Sequence, residues 1–219
     1  MTPWMVLQLA DSALPAGGFA HSGGVEAAVQ LGRVRGPEDL ADFLDEVVWN
    51  LATSALPFVT AAVRRPSGLP ALDRRCDASL PSQIANRASR AQGRAFLRAA
   101  AAAFGDALAP LGEEVQQLHL PGHLAPVFGA VLGRLGAAEG EARRLFLFQG
   151  VRGAASAAVR LGVIGPLEAQ ALLSAAAAAA ERALQATAGV APEQASSSAP
   201  LVDLLQGYQE RLYSRLFQS

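Results

Sequence analysis

The sequence predicts an all-α fold, and three observations predict it. Apolar residues recur at the three-to-four spacing of a helical face in one segment after another. Alanine dominates a composition that is 51% hydrophobic but only 6% aromatic. β-branched residues, which favour strands, are few, and no segment needs a strand to explain its pattern. The economical architecture is a single domain over residues 1–219 with about seven or more helices, packed orthogonally or as a bundle. A chain of this length can bury about 70% of its unfolded surface, so neither a disulfide nor a structural metal is required.

Residues 1–36 read as a short helix or extended arm followed by a Gly-rich turn. Gly17-Gly18 and Gly23-Gly24 bracket Phe19, Ala20, His21 and Ser22 and allow backbone angles or close approaches that side chains obstruct. After Gly36-Pro37, apolar residues at 40, 43, 44, 47, 48 and 51 fall on one helical face. Pro37 suits a first helical turn, Glu38 and Asp39 favour its positive end, and Pro57 is expected to kink or divide the helix. Residues 64–81 are the most polar and irregular stretch, although LDRRCDASL within them has the period of a short helix. A second long helix, rich in Ala and Arg, is expected from Pro81 to Ala109. Gly93 lies inside it, where a small residue permits a close crossing or is merely tolerated.

Pro121-Gly122 closes the next segment, and a helix is expected from about Ala125. Another follows a break near Gly140 over EARRLFLFQGVRGAASAAVRLG, and Pro166 opens a further helix through Ala188. Residues 189–200 read as a surface loop. The last segment, residues 201–219, is amphipathic and is expected to be helical until its final few residues.

The formal net charge is −1, from 18 basic residues, all Arg, against 19 acidic ones. Nucleic-acid binding, which relies on a basic stripe, is disfavoured. The charged fraction, 17%, is low, so apolar surface either packs between Ala-rich helices or is covered by another protein. Cys76 is the only cysteine, which excludes an intrachain disulfide and points to the cytosol. The N-terminus lacks the basic leading region of a signal peptide, and the Ala175–Ala180 run is too short to span a membrane.

Tests for chemistry return nothing that forms a catalytic set. GGFAHSGG has neither the P-loop spacing nor its Lys. His119 and His123 have the i,i+4 spacing of helical metal ligands, but Pro121-Gly122 lies between them, and Glu113 and Glu114 join them only through an unknown tertiary arrangement. Cys76 has no CxxC partner, and Ser12 beside Asp11 or Ser22 beside His21 makes no recognisable triad. No catalytic, cofactor-binding or metal-binding residue is assigned.

Five segments in order carry a resemblance: LQLADSALPAGGFAHSGGVEAAV at 7–29, NRASRAQGRAFL at 86–97, PVFGAVLG at 126–133, AASAAVRLGVIGPLEAQALL at 154–173 and ERLYSRLFQS at 210–219. Together they resemble the F-type urease accessory protein family. The resemblance implies a cytoplasmic, all-helical, non-enzymatic chaperone of nickel insertion that commonly forms homodimers. It implies three partners: a D/H-type urease accessory protein, a G-type GTPase and the urease apoprotein, with the chain bridging the first two so that nickel insertion is coupled to GTP hydrolysis. No membrane or nucleic-acid partner is implied, and a general helical adaptor or regulator of another GTPase is the alternative. By the same resemblance the C-terminal tail, with Tyr213, Arg215, Leu216 and Phe217, contacts the D/H-type protein. Phe19 and His21 in the Gly-rich turn belong to a second surface or to the packing beneath it. Gln218 stands where an Arg is familiar in relatives.

Overall fold

The computed structural model describes residues 1–80 and 82–219, so the expected helix start at Pro81 lies outside the described residues. Among the described residues there are eleven α-helices and no strand. The N-terminal arm is a helix, α1 (Pro3–Ala10), and the Gly-rich turn leads into a second short one, α2 (Val25–Gln30). The amphipathic segment after Pro37 is divided as Pro57 requires, into α3 (Pro37–Ser54) and α4 (Leu56–Arg64), which meet at a bend of 43°. The polar stretch that follows holds α5 (Leu69–Ser79), the short helix whose period LDRRCDASL carries.

The second long helix is shorter than expected. α6 (Gln83–Phe104) stops at Gly105, whose φ of +70° breaks the helix, and a separate α7 (Ala109–Gln117) begins with Pro110 in its first turn. Then come α8 (Leu124–Arg134), α9 (Glu139–Arg160) and α10 (Pro166–Ala186), followed by a loop that contains a 3₁₀ turn at Pro192–Gln194. The C-terminal segment corrects its expectation. Its helix, α11 (Pro200–Tyr208), gives way to a 3₁₀ turn at Gln209–Arg211, and the chain is irregular from Leu212, with bends at 213–214 and 216–217. Helical periodicity continues in the sequence past Tyr208, but backbone hydrogen bonds to other segments take the place of the helical ones.

α8 is the centre. It crosses α4 so closely that a Cβ on Gly129 would lie 2.4 Å from the Val59 carbonyl oxygen, and one on Gly133 2.6 Å from that of Val63. Both distances are below any real contact, so the glycines of PVFGAVLG are the condition for this crossing. Phe128 on the other side of α8 stacks on Phe96 of α6 (centroids 5.0 Å apart) and meets Phe146 of α9 edge-on at 5.2 Å. α10 packs on α3 and α9 through Ala176, Ala179 and Ala183, which explains how an apolar chain with few large side chains still fills its interior. Arg143 is buried beside the end of α10, where it donates to the Leu184 carbonyl (2.9 Å) and the Thr187 hydroxyl (2.8 Å). A cation there satisfies carbonyls that the helix leaves unpaired, although burial pulls the guanidinium pKa down. Among the described residues no single helix is long and apolar enough to cross a membrane.

Candidate partner-binding face

The Gly-rich turn and the C-terminal tail form one structure. Gly17 takes a φ of +77° and lies against α6, where an added Cβ would come within 3.2 Å of Ala95. At Gly24, φ +94°, an added Cβ would lie 3.2 Å from the Gln206 backbone nitrogen of α11. These two positions place the segment from Phe19 to Ser22 beside residues 216–219, and a short extended pairing follows. Gln218 donates its N–H to the Ala20 carbonyl (2.8 Å), and Ser22 donates to the Ser219 carbonyl (2.5 Å). The imidazole Nδ1 of His21 lies 2.6 Å from the Ser219 hydroxyl. Gln218 takes part in this pairing through its backbone alone, so the pairing does not depend on the side chain at that position.

Glu26 fixes the tail. Its carboxylate is 2% exposed and accepts the backbone N–H of Leu216 (2.6 Å), the N–H of Phe217 (3.2 Å) and the side-chain amide of Gln209. Three donors around one buried carboxylate supply the hydrogen bonds that its burial demands. On the other side, the Arg160 guanidinium lies 3.6 Å from the Phe19 ring centroid and 4.3 Å from that of Phe217, and it donates to the Phe19 carbonyl.

The residues singled out from the sequence are therefore neighbours but not equivalents. Phe217 is 4% exposed and serves as the anchor, whereas Tyr213 is wholly exposed and Phe19, Arg215 and Leu216 are also open to solvent. His21 is half-buried, and desolvation holds its pKa below the ordinary 6.5. Glu26 and Arg160 were not anticipated. The available signal for Glu26 was a lone carboxylate in the apolar run VEAAV directly after a glycine pair.

The other polar cluster joins the remaining motif residues. Asp73 of α5 is fully buried and accepts the N–H groups of Gly122 and His123, each at 2.7 Å. His123, also fully buried, has Nε2 3.0 Å from Asp77 Oδ1 and Nδ1 3.1 Å from Ser89 Oγ, which itself accepts the Leu124 N–H. One assignment satisfies every group: Nε2–H donates to Asp77, and Nδ1 accepts from the Ser89 hydroxyl. Hydrogen bonds from Asn86 and His123 lower the Asp77 pKa and keep it charged. Gly93 is required beside this turn, because its Cβ would lie 2.2 Å from the Gly122 carbonyl oxygen. Arg94 donates to the Pro121 carbonyl at 3.0 Å. NRASRAQGR is thus a clamp on the PGHL turn. The Ser89 hydroxyl is occupied by the His123 ring and the Leu124 N–H. Cys76 is buried between Asp73 and Asp77, and its thiol is pushed up to about 12, chiefly by desolvation. His119 sits at a φ of +49° outside any helix and shares no face with His123. Among the described residues no group of three or more His, Cys, Asp or Glu is placed to hold a metal ion.

The UreF family model matches residues 34–177. Urease accessory protein F of Oryza sativa subsp. indica is 38% identical over 221 residues, covering 98% of this chain and 84% of the relative. The protein of the same name from Arabidopsis thaliana is 38% identical over 223 residues, 99% and 92% of the two chains. Urease accessory protein UreF of Mycobacterium sp. (strain JLS) is 35% identical over 207 residues, 94% of each chain. These alignments cover far more of the chain than the family model's residues 34–177. The chain belongs to the UreF family of non-catalytic urease accessory proteins.

Proposed function

We propose that this chain is a cytoplasmic scaffold of urease maturation that bridges a D/H-type accessory protein and a G-type GTPase, so that nickel insertion into the urease apoprotein proceeds in step with GTP hydrolysis. The observation that carries this reading is the joint face of turn and tail. Tyr213, Leu216 and Phe19 are large apolar groups left in solvent next to Arg215, on a backbone held in place by Glu26 and the buried Phe217. Aromatic and Arg side chains on a preorganised support are the chemistry of interface hot spots. Phe217 serves this face from beneath, and its partner-binding contribution is the position it gives to Leu216 and Arg215. The homodimer belongs to the same proposal.

Light scattering on a size-exclusion column tests it, with the chain alone, with the D/H-type protein, and with that protein and the nucleotide-loaded GTPase. Stepwise stoichiometric complexes built on a dimer are expected. A Tyr213→Ala/Leu216→Ala variant should weaken D/H-type binding at least tenfold. Binding unchanged in that variant would remove the tail from the interface. Removing the whole tail is a poorer test, because it also strips the Gly-rich turn of its pairing.

A further inference from the structure

α6 divides its charge unusually. It carries Arg87, Arg90, Arg94 and Arg98 and no carboxylate, in a chain whose formal net charge is −1, so all other residues together carry −5. The spacing of three, four and four residues puts the arginines on one side of the helix, along about 16 Å of its axis. Two of them have local duties. Arg87 pairs with Glu210 of the C-terminal 3₁₀ turn, and Arg94 bonds to the Pro121 carbonyl. Arg90 reaches only the Asn86 side-chain carbonyl, at 3.5 Å, and Arg98 makes no hydrogen bond or ion pair among the described residues. A cleft of ≈ 400 Å³ lies at the first half of this ridge, lined by Asp77, Gln83, Asn86, Arg87 and Arg90. Its one carboxylate, Asp77, is engaged by Asn86 and His123.

We propose that the arginine ridge of α6, from Arg90 to Arg98, is a docking surface for an acidic segment of a partner protein. The inference rests on the scaffold reading and adds to it a second surface beside the turn-and-tail face. Charge complementarity selects the occupant. Guanidinium forks bind carboxylates in a bidentate way, and two forks without an ion pair, about 12 Å apart, match carboxylates two turns apart on one helix face or spaced along an extended acidic loop. A long polyanion such as duplex DNA fits poorly, since the remaining charge of the chain is negative and repels it outside this short ridge. Carboxylates presented by a folded partner meet only the ridge.

The test uses the full chain, an Arg90→Glu/Arg98→Glu variant and an Arg182→Glu control at an exposed position of α10, with folding checked by circular dichroism. Fluorescence anisotropy with a labelled ten-residue polyglutamate peptide should give salt-sensitive binding that the double variant loses by roughly tenfold and the control retains. In parallel, the double variant should lose at least one of the D/H-type protein and the GTPase from the assembly. Equal peptide affinity in all three chains overturns the proposal, as does stronger binding to duplex DNA or to phosphatidylserine vesicles than to the peptide. A wild-type chain that binds the peptide but neither cognate protein defeats the scaffold reading and leaves the ridge supported. A double variant that loses the peptide and keeps both proteins overturns the ridge as a docking surface.

Discussion

Glu26, in the first turn of α2, accepts the backbone N–H of Phe217, which lies 191 residues further along the chain. One carboxylate thereby decides whether the last residues are ordered against the first, and its removal leaves buried donors without a partner.

Glu26→Ala should therefore destabilise the protein by about 2 kcal/mol, with Glu26→Gln costing less because one acceptor is kept. Hydrogen exchange at the Leu216 and Phe217 amides should accelerate in both variants before urea melts the helices. Unchanged protection of these amides would show that the tail is held by Phe217 packing alone.

The pH dependence follows from His21. Burial lowers its folded pKa below 6.5, so the unfolded chain takes up the proton first as the solution is acidified. The contribution of this group is fully present above about 6.5 and declines as pH falls from there towards the folded value. Tail amide exchange, corrected for its intrinsic pH dependence, should rise between pH 7.5 and 5.5, and a His21→Asn variant should flatten the rise. These two pH values are chosen to straddle the ordinary imidazole range.

Two glycine substitutions should act with opposite signs. Gly93→Ala forces a Cβ onto the Gly122 carbonyl and should cost about 3 kcal/mol in urea unfolding. Gly153→Ala, in the interior of α9 with nothing within 4 Å of the new atom, should stabilise by up to about 1 kcal/mol through helix propensity.

Cys76 offers a reporter on the Asp73 clamp. With its thiol at about 12 and only 5% exposed, it should resist thiol reagents at neutral pH until the protein opens. Asp73→Asn removes one acceptor from the Gly122 and His123 amides, so labelling should speed up and stability should fall by about 2 kcal/mol.

The helices were legible wherever an apolar face and a Pro or Gly boundary coincided, as at Pro37, Pro57 and Pro166. The break after Phe104 was not, because Ala-rich sequence carries no periodicity of its own and Gly105 alone marks the end. The C-terminal helix was legible through Tyr208 but ends earlier than expected, because QERLY keeps a helical period while the bonds that hold the tail come from Glu26 and Ala20 near the other end of the chain. For the same reason Tyr213, Arg215 and Leu216 could be chosen from the ending, yet Phe217 could not be distinguished from them. Which member of SRLF turns inward depends on Arg160 and Glu26, and no local pattern records that.

The pairing of residues 20–22 with 218–219 also sets an order of events in the life of the chain. The paired segments lie almost 200 residues apart, so the loop between them closes at least entropic cost once packing of α3 to α10 has drawn its ends together. A chain cut between Ala186 and Phe217 keeps α3 to α10 and lacks the closed face. The face therefore exists only where the Gly-rich turn and the tail are both in place, and its hydrogen bonds report on the packing of the helices that lie between them.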